Sequence, residues 1–461
     1  MSKEIRLSLA YRDMWQSNGK YIPDAAHLEE AAQAIIAMGC FDRVETNGGA
    51  FEELTLLSGR NPNEIIRSWT APFRKVGIQT QMLERGLCAL RLNPVPADVR
   101  ELMFKVKKAQ GVDISRSFCG LNDSRNLKPS IAFAHKAGMI SQIALAVSNS
   151  PLHTIEYYME VVKDVIEYGC DELCLKDMVG IADPGFISAL IRQIKEKFPQ
   201  IKIQFHSHCR NQKSTDSILE AARAGADYID VAAEPLAWGS SHPDVITVKE
   251  VLTKDGFLVK DINLEAYREL KSLTAKCLPN YISDIQSLQY NSLPGGMMGS
   301  LVEDIKDKDL ITNIFEEVEV IWPLLGYPPL VTPFSQYIKN TALNNILSLR
   351  QGKTRWNKID KDTWNMILGK MGRLPAEPAQ EIIDLANSLN LNFYKDDPQD
   401  LYQDSLDKYR NIMESEGWSY GPHDEELLEF AMHERAYRQY KRGVRDGEIC
   451  AAIALALKNR V

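Results

Sequence analysis

The sequence predicts an α/β fold, a (β/α)8 TIM barrel followed by a mainly α-helical C-terminal domain. Three observations carry that reading. Eight short apolar, β-branched-rich runs recur along the first half of the 461 residues. Most gaps between them hold apolar residues at helical spacing, and potential metal ligands stand at the ends of three runs.

The first run, Ile5 to Tyr11, leads into Arg12-Asp13-Met14-Trp15-Gln16-Ser17. A doubly wound open sheet also alternates strand and helix, but it calls for a phosphate-binding Gly-rich turn after its first strand. No GxGxxG stands here, which favours the barrel. The later runs are Arg43 to Asn47, Gly77 to Glu84, Asp113 to Phe118, Ile140 to Val147, Glu172 to Asp177, Lys202 to His208 and Tyr228 to Ala233. They begin 26 to 38 residues apart, room for one strand and one helix each. Tyr158, Val161, Val162, Val165 and Ile166 have helical spacing. So do Ile187, Leu190, Ile191 and Ile194, opened by Asp183-Pro184 as cap and first helical residue.

From Leu264 onward strand signals thin out and Gly/Pro punctuation appears at Leu293-Pro294-Gly295-Gly296, Thr332-Pro333 and Gly372-Arg373-Leu374-Pro375. The division expected is a catalytic barrel over residues 1–290 and a mainly helical domain over 291–461. From about Asp396 to Val461 the chain is rich in charge and reads as a separate helical tail, a candidate interaction surface.

A net charge of -8 and a pI near 5.7 supply no basic field for nucleic acid or anionic membrane. No apolar run of about 18 residues spans a bilayer, and Met1-Ser2-Lys3-Glu4 opens no signal core, so a cytoplasmic protein without a transmembrane segment is expected. Peripheral association with a membrane complex is compatible with that. The eight cysteines lack CxxC spacing, which argues for reduced, mostly buried thiols.

Residues at the C-terminal ends of barrel strands face the active site. His206 and His208, one residue apart at the end of the seventh run, project to the same side and can share one cation. Asp13 follows the first run, which neighbours the eighth once a barrel closes. An HxH pair alone is a common accident, and an Asp after a strand is often only a helix cap. Their coincidence at matching strand ends makes the metal site. Two imidazoles and a carboxylate suit Zn²⁺, Mn²⁺, Co²⁺ or Fe²⁺ better than Ca²⁺. Lys176 closes the apolar run Leu173-Cys174-Leu175, where a lone ammonium is costly to bury. A salt bridge to Asp177 or Asp13, a Schiff-base amine and a modified, metal-binding lysine all remain open.

Several stretches form a recognisable set: Arg12-Asp13-Met14-Trp15-Gln16-Ser17, Gly48-Gly49-Ala50-Phe51, Met82-Leu83-Glu84-Arg85-Gly86 and Asn122-Asp123-Ser124-Arg125-Asn126. With them go Ser150-Pro151-Leu152-His153-Thr154, Leu175-Lys176-Asp177-Met178-Val179-Gly180, Pro294-Gly295-Gly296-Met297 and Val331-Thr332-Pro333. Together they resemble the carboxyltransferase subunits of biotin-dependent 2-oxo acid carboxylases. That family comprises oxaloacetate decarboxylase α chains, the transcarboxylase central subunit and the carboxyltransferase domain of pyruvate carboxylase.

The resemblance implies that Asp13, Lys176, His206 and His208 bind the metal (Zn, Mn or Co), with Lys176 carbamylated. It implies that Arg85 and Gln16 hold the 2-oxo acid and that Thr332 passes a proton between biotin and the enol carbon. No Met-Lys-Met biotinyl motif and no ATP-grasp region is seen. The implied partners are therefore a separate biotin carboxyl carrier protein, biotin carboxylase or decarboxylase-complex subunits, and a second copy in a homodimer or larger homo-oligomer. The function implied is carboxyl transfer between carboxybiotin and pyruvate or oxaloacetate. The alternative is a biotin-independent, metal-dependent lyase or synthase of the hydroxymethylglutaryl-CoA lyase or isopropylmalate synthase type. Departures cluster in the pocket: His208-Cys209-Arg210, Leu92 for a family Tyr, Glu234 for a family Ser, and Leu145-Ala146-Val147 for SYT. They admit either neutral repacking or a different 2-oxo acid.

Overall fold

The computed structural model describes residues 3–19, 23–209, 213–278, 305 and 307–458. The expected boundary at 290/291, the Pro294-Gly295-Gly296-Met297 motif and Arg210 lie outside them. Eight parallel strands close into a barrel in sequence order. They are β1 (Arg6–Leu9), β2 (Phe41–Gly48), β3 (Gln79–Glu84), β4 (Ile114–Phe118), β5 (Ile140–Ala146), β6 (Glu172–Asp177), β7 (Lys202–Ser207) and β8 (Tyr228–Val231). β1 pairs with both β2 and β8, so the sheet has no edge. Each expected run contains its strand or most of it. The helix expected after Asp183-Pro184 spans Pro184–Lys197, with the Asp183 carboxylate accepting from the backbone N–H of Gly185 and Phe186.

The runs read as apolar, yet the barrel interior is polar. Leu173, Leu175, Ile203, Phe205, Ile229 and Val231 pack outward in the core that also holds helical Val162, Val165, Ile187 and Leu190. Alternate residues face in, and they include Arg43, Glu45, Gln81, Gln142, Glu172 and Gln204, all at most 2% exposed. Burial between strands and helices supplies the cohesion, about 1.5–3 kcal/mol for each large aliphatic side chain.

Beyond the barrel the described residues are mainly helical. Helices Lys308–Leu324 and Phe334–Arg350 pack on each other. The charged C-terminal stretch is not a separate tail. Helices Leu406–Ser415 and Glu425–Met432 return to the barrel, where Met413, Leu427, Leu428 and Phe430 join Leu102, Met103 and Phe104 in a second core. Lys107, fully buried between Glu52 and Glu429, pins that return.

Candidate active site

Asp13, His206, His208 and His242 each offer one ligand atom at the barrel mouth, and those atoms lie within 4.8 Å of one another. Asp13 stands in the short helix Tyr11–Gln16 that follows β1. Its Oδ2 is 3.1 Å from His206 Nε2 and 3.6 Å from Nε2 of both His208 and His242. His206 is in β7 and His208 just beyond it, and their Nε2 atoms are 3.3 Å apart. The one-residue spacing does bring both imidazoles together.

The far nitrogen of each ring settles what the near one presents. His206 Nδ1 is 2.7 Å from the Asp230 carboxylate, His208 Nδ1 is 2.5 Å from the Ser240 carbonyl, and His242 Nδ1 is 2.9 Å from the Ser207 carbonyl. Each partner is an acceptor, so each Nδ1 carries the proton and each Nε2 presents a lone pair. Three lone pairs and a carboxylate oxygen therefore face one point. Four such acceptors repel unless a cation stands among them, and a divalent ion bound there would satisfy all four. This nitrogen-rich donor set fits Zn²⁺, Mn²⁺ or Co²⁺.

Lys176, fully buried in β6, reaches the same point. Its Nζ is 2.7 Å from His206 Nε2 and 3.5 Å from Asp13 Oδ2. Of the two salt bridges considered, the one to Asp13 forms. Asp177 instead accepts from the backbone N–H of Gly180, Ile181 and Ala182.

Behind the ligands runs a chain of alternating charge. Asp13 is 3.5 Å from Arg12, Arg12 pairs with Glu45, Glu45 is 3.3 Å from Arg116, and Arg116 is 2.6 Å from Asp230, the residue that orients His206. Burial works to raise the Asp13 carboxyl, but Arg12 and Lys176 outweigh it and hold the group well below the usual range. The same contest, won by Arg116 and His206, keeps Asp230 low. Burial lowers Lys176 in spite of Asp13, and burial followed by the Lys176 charge lowers His206.

Beside Asp13, the Arg12 and Gln16 side chains meet the Gly48-Gly49 turn. The side-chain oxygen of Gln16 accepts from Arg12 Nη1 at 2.5 Å, which turns its amide N–H groups toward other acceptors. A Cβ at Gly49 would lie 2.5 Å from that oxygen, and one at Gly48 would lie 2.2 Å from the Leu83 carbonyl. Both glycines have positive φ, so the Gly48-Gly49 pair is dictated by close approach as well as by backbone. Arg85 donates to the carbonyls of Gly49 and Arg91 at 3.2 and 3.3 Å, and its buried Nε has no partner. Among the described residues no carboxylate lies within ion-pair distance of it. Burial, and then the nearby Arg12 charge, lower this guanidinium to about 10. A cation so placed is a receptor for an anion.

Thr332 arrives from the C-terminal domain. Val331 beside it is fully buried among Leu83, Phe118, Ala144, Ala146 and Cys174, inward residues in the upper half of β3 to β6. The Thr332 carbonyl would lie 3.4 Å from a Cβ on Gly120, in the loop after β4. The segment therefore plugs the mouth over β3 to β6. Of the pocket departures, Leu92 is 37% exposed with its carbonyl bound by the Tyr337 hydroxyl, and Glu234 is half-buried just after β8.

The sequence reading missed His242, Asp230, Arg116 and Glu45. Ser240-Ser241-His242-Pro243 in the loop after β8 held the signal for the first. The other three are mid-strand and marked only by their period of two.

Residues 289–454 match the family described as conserved carboxylase domain, and residues 124–234 match the HMGL-like family. A pyruvate carboxylase subunit of Methanocaldococcus jannaschii is 28% identical over 424 residues, 89% of this chain and 73% of that protein. The methylmalonyl-CoA carboxyltransferase 5S subunit of Propionibacterium freudenreichii subsp. shermanii is 26% identical over 358 residues, 74% of this chain and 68% of that protein. The carboxyl transferase domain of Rhizobium etli pyruvate carboxylase, solved with oxamate and biotin, superposes with a TM-score of 0.84 at 19% identity, covering 95% of this chain and 77% of that one. That superposition speaks to the fold.

Proposed function

We infer that this chain, a member of the biotin-dependent carboxyltransferase family, moves a carboxyl group between carboxybiotin on a separate carrier protein and a 2-oxo acid of the pyruvate or oxaloacetate type. The observation that carries the reading is a metal-ready cluster and, across the Gly48-Gly49 turn, a buried cation, Arg85, that has no counter-ion among the described residues. A 2-oxo acid needs both: a fork for its carboxylate and an electrophile for its ketone.

Asp13, His206, His208 and Lys176, the last as a carbamate, are the ligands of this reading, and His242 adds a donor that the resemblance alone does not supply. The bound ion supplies Lewis acidity toward the ketone. Charge counting supports the carbamate. Asp13, Glu45 and Asp230 balance Arg12, Arg116 and the Lys176 ammonium, so the buried cluster is neutral as it stands. A divalent ion adds two positive charges, and conversion of the ammonium to a carbamate removes two.

Arg85 holds the carboxylate and the Gln16 amide donates to the ketone oxygen. As the N1–carboxyl bond of carboxybiotin breaks, the Thr332 hydroxyl gives its proton to N1 and takes one from the methyl of the oxo acid. The resulting enolate attacks the released CO2, and the reverse sequence decarboxylates oxaloacetate. The plug around Val331 keeps water from that exchange.

The alternative lyase or synthase reading falls away. The relatives that match most of the chain are carboxylase and carboxyltransferase subunits, while the HMGL-like match stops at residues 124–234. Biotin carboxylase or decarboxylase-complex partners, a homodimer and a cytoplasmic location complete the proposal, as does the division near residue 290. No helix among the described residues is long and apolar enough to cross a membrane.

The test follows biotin-dependent CO2 loss from oxaloacetate, with Thr332→Ala and Lys176→Gln alongside. Turnover that requires biotin and is lost in Thr332→Ala supports the reading. Turnover indifferent to biotin overturns it. Full metal occupancy and activity in Lys176→Gln removes the carbamate.

A further inference from the structure

Two joined cavities, of about 670 and 570 Å³, run along the helix Glu434–Lys458 and share Arg438 and Arg442. Their place is set by the barrel. The second is walled by Glu53, in the loop-and-helix segment after β2, and by Arg91 to Asn93, after β3. Both belong to the C-terminal face, and the Arg91 carbonyl is itself an acceptor for Arg85. The groove thus begins one residue from the substrate corner.

Its charge is unlike the rest of this acidic chain. Arg435, Arg438, Arg442 and Arg445 follow one helical stripe, with Lys441 beside them. Arg438 takes up the two wall carboxylates Glu416 and Glu434 at 3.7 and 3.1 Å and covers the Phe430 ring. Among the described residues, Arg91, Arg435, Lys441, Arg442 and Arg445 have no ion-pair partner, and Glu53 is the one wall carboxylate left over. Like charges three and four apart on a helix cost stability, so this stripe weakens its own helix. Trp418 forms part of the floor, with Lys441 5.8 Å from its ring.

We propose that this groove is the docking surface for the carrier protein that brings biotin to the mouth, and that it recognises an acidic face on that carrier. The proposal rests on the carboxyl-transfer reading, which requires a macromolecule to approach this face. Complementary charge accelerates encounter and fixes orientation, so a swinging biotin enters beside Arg85 rather than over the far rim.

The full chain is assayed for oxaloacetate decarboxylation with free biotin, with a biotinylated carrier domain of acidic isoelectric point, and with a lysine-rich surface variant of that domain. Arg442→Glu/Arg445→Glu, both at exposed positions, is compared with Lys254→Glu, an exposed cation at the opposite end of the barrel. The expected result is a KM for the acidic carrier raised about tenfold, on the scale of electrostatic steering. Free-biotin turnover and the Lys254→Glu protein stay unchanged, and the lysine-rich carrier prefers the reversed groove. An unchanged carrier KM overturns the proposal. So does an altered mass in solution with carrier kinetics intact, which would assign the stripe to a second copy of this chain. Absence of any biotin-dependent turnover with free biotin overturns the carboxyl-transfer reading and the docking site with it.

Discussion

The two ends of the barrel interior are built from the same kind of residue and differ in one respect. At the lower end Arg43 forks onto Glu172 with two bonds of 2.8 Å, donates to Gln204 and Gln79, and lies 3.6 Å over the Tyr228 ring. Ser8, Gln81, Gln142 and Gln204, one from each odd strand, interlock above it. At the upper end Asp13 and three imidazoles converge around the Lys176 ammonium, and among the described residues Arg85 has no carboxylate within ion-pair distance. The lower layers are saturated and the mouth is not. Buried polarity is structural where every donor meets an acceptor, and it marks a site where like meets like.

The largest test of this contrast is His206→Ala or Asp13→Ala. Metal content of the purified protein should fall from near one equivalent to near zero, with activity lower by about 10³-fold or more, the scale of several kcal/mol of Lewis-acid stabilisation. The unfolding midpoint should change little for His206→Ala, whereas Asp13→Ala, which strands the buried Lys176 and Arg12 charges, should also lower it. The converse is Arg43→Met, which leaves buried Glu172 to the half-exposed Lys202 at 3.7 Å and the Gln142 amide and should cost about 3 kcal/mol in urea denaturation. Arg43→Met/Glu172→Leu should recover much of that, and metal content should stay normal in both. Asp230→Asn joins the two ends, because Asp230 accepts from Gln204 below and from His206 above. Removing the acceptor that fixes the tautomer should weaken metal affinity by about 10–100-fold, read by chelator competition.

The smallest effect concerns an intermediate case. Burial raises Glu429 to about 7 despite Lys107, and one of its oxygens has no partner. A carboxyl whose folded pKa lies above its unfolded value stabilises the fold below the unfolded value and loses that contribution as pH rises through about 7. Protection factors of the amides in helix Glu425–Met432 should therefore fall as the pH rises from about 5 to about 7, and Glu429→Gln should flatten the response.

Legibility followed the same division. The eight strands could be read because their outward faces are apolar and recur with helices between them. His206, His208, Asp13 and Lys176 could be read because they sit where strands end. The polar interior could not, since Gln81, Gln142 and Gln204 alternate with apolar neighbours in the way any half-solvated strand does. His242 lies deep in the loop after β8, where no periodicity marks it. The role of Arg85 was implied by resemblance alone. That of the charged C-terminal helices emerged only from their packing, because charge density looks the same on a free helix as on one whose other face is buried.

The interlocked interior bears on how such a protein can change. Each inward residue of the lower layers is held by others on several strands, so a single replacement strands its partners, and neutral drift through the barrel wall is nearly closed. The loop bearing Leu92 and the Glu234 turn are held through backbone atoms, and the Val331 plug by apolar packing, so their side chains carry no interlocking polar network. New substrate preferences are therefore reached by altering the rim and the plug, while the tube beneath is inherited whole.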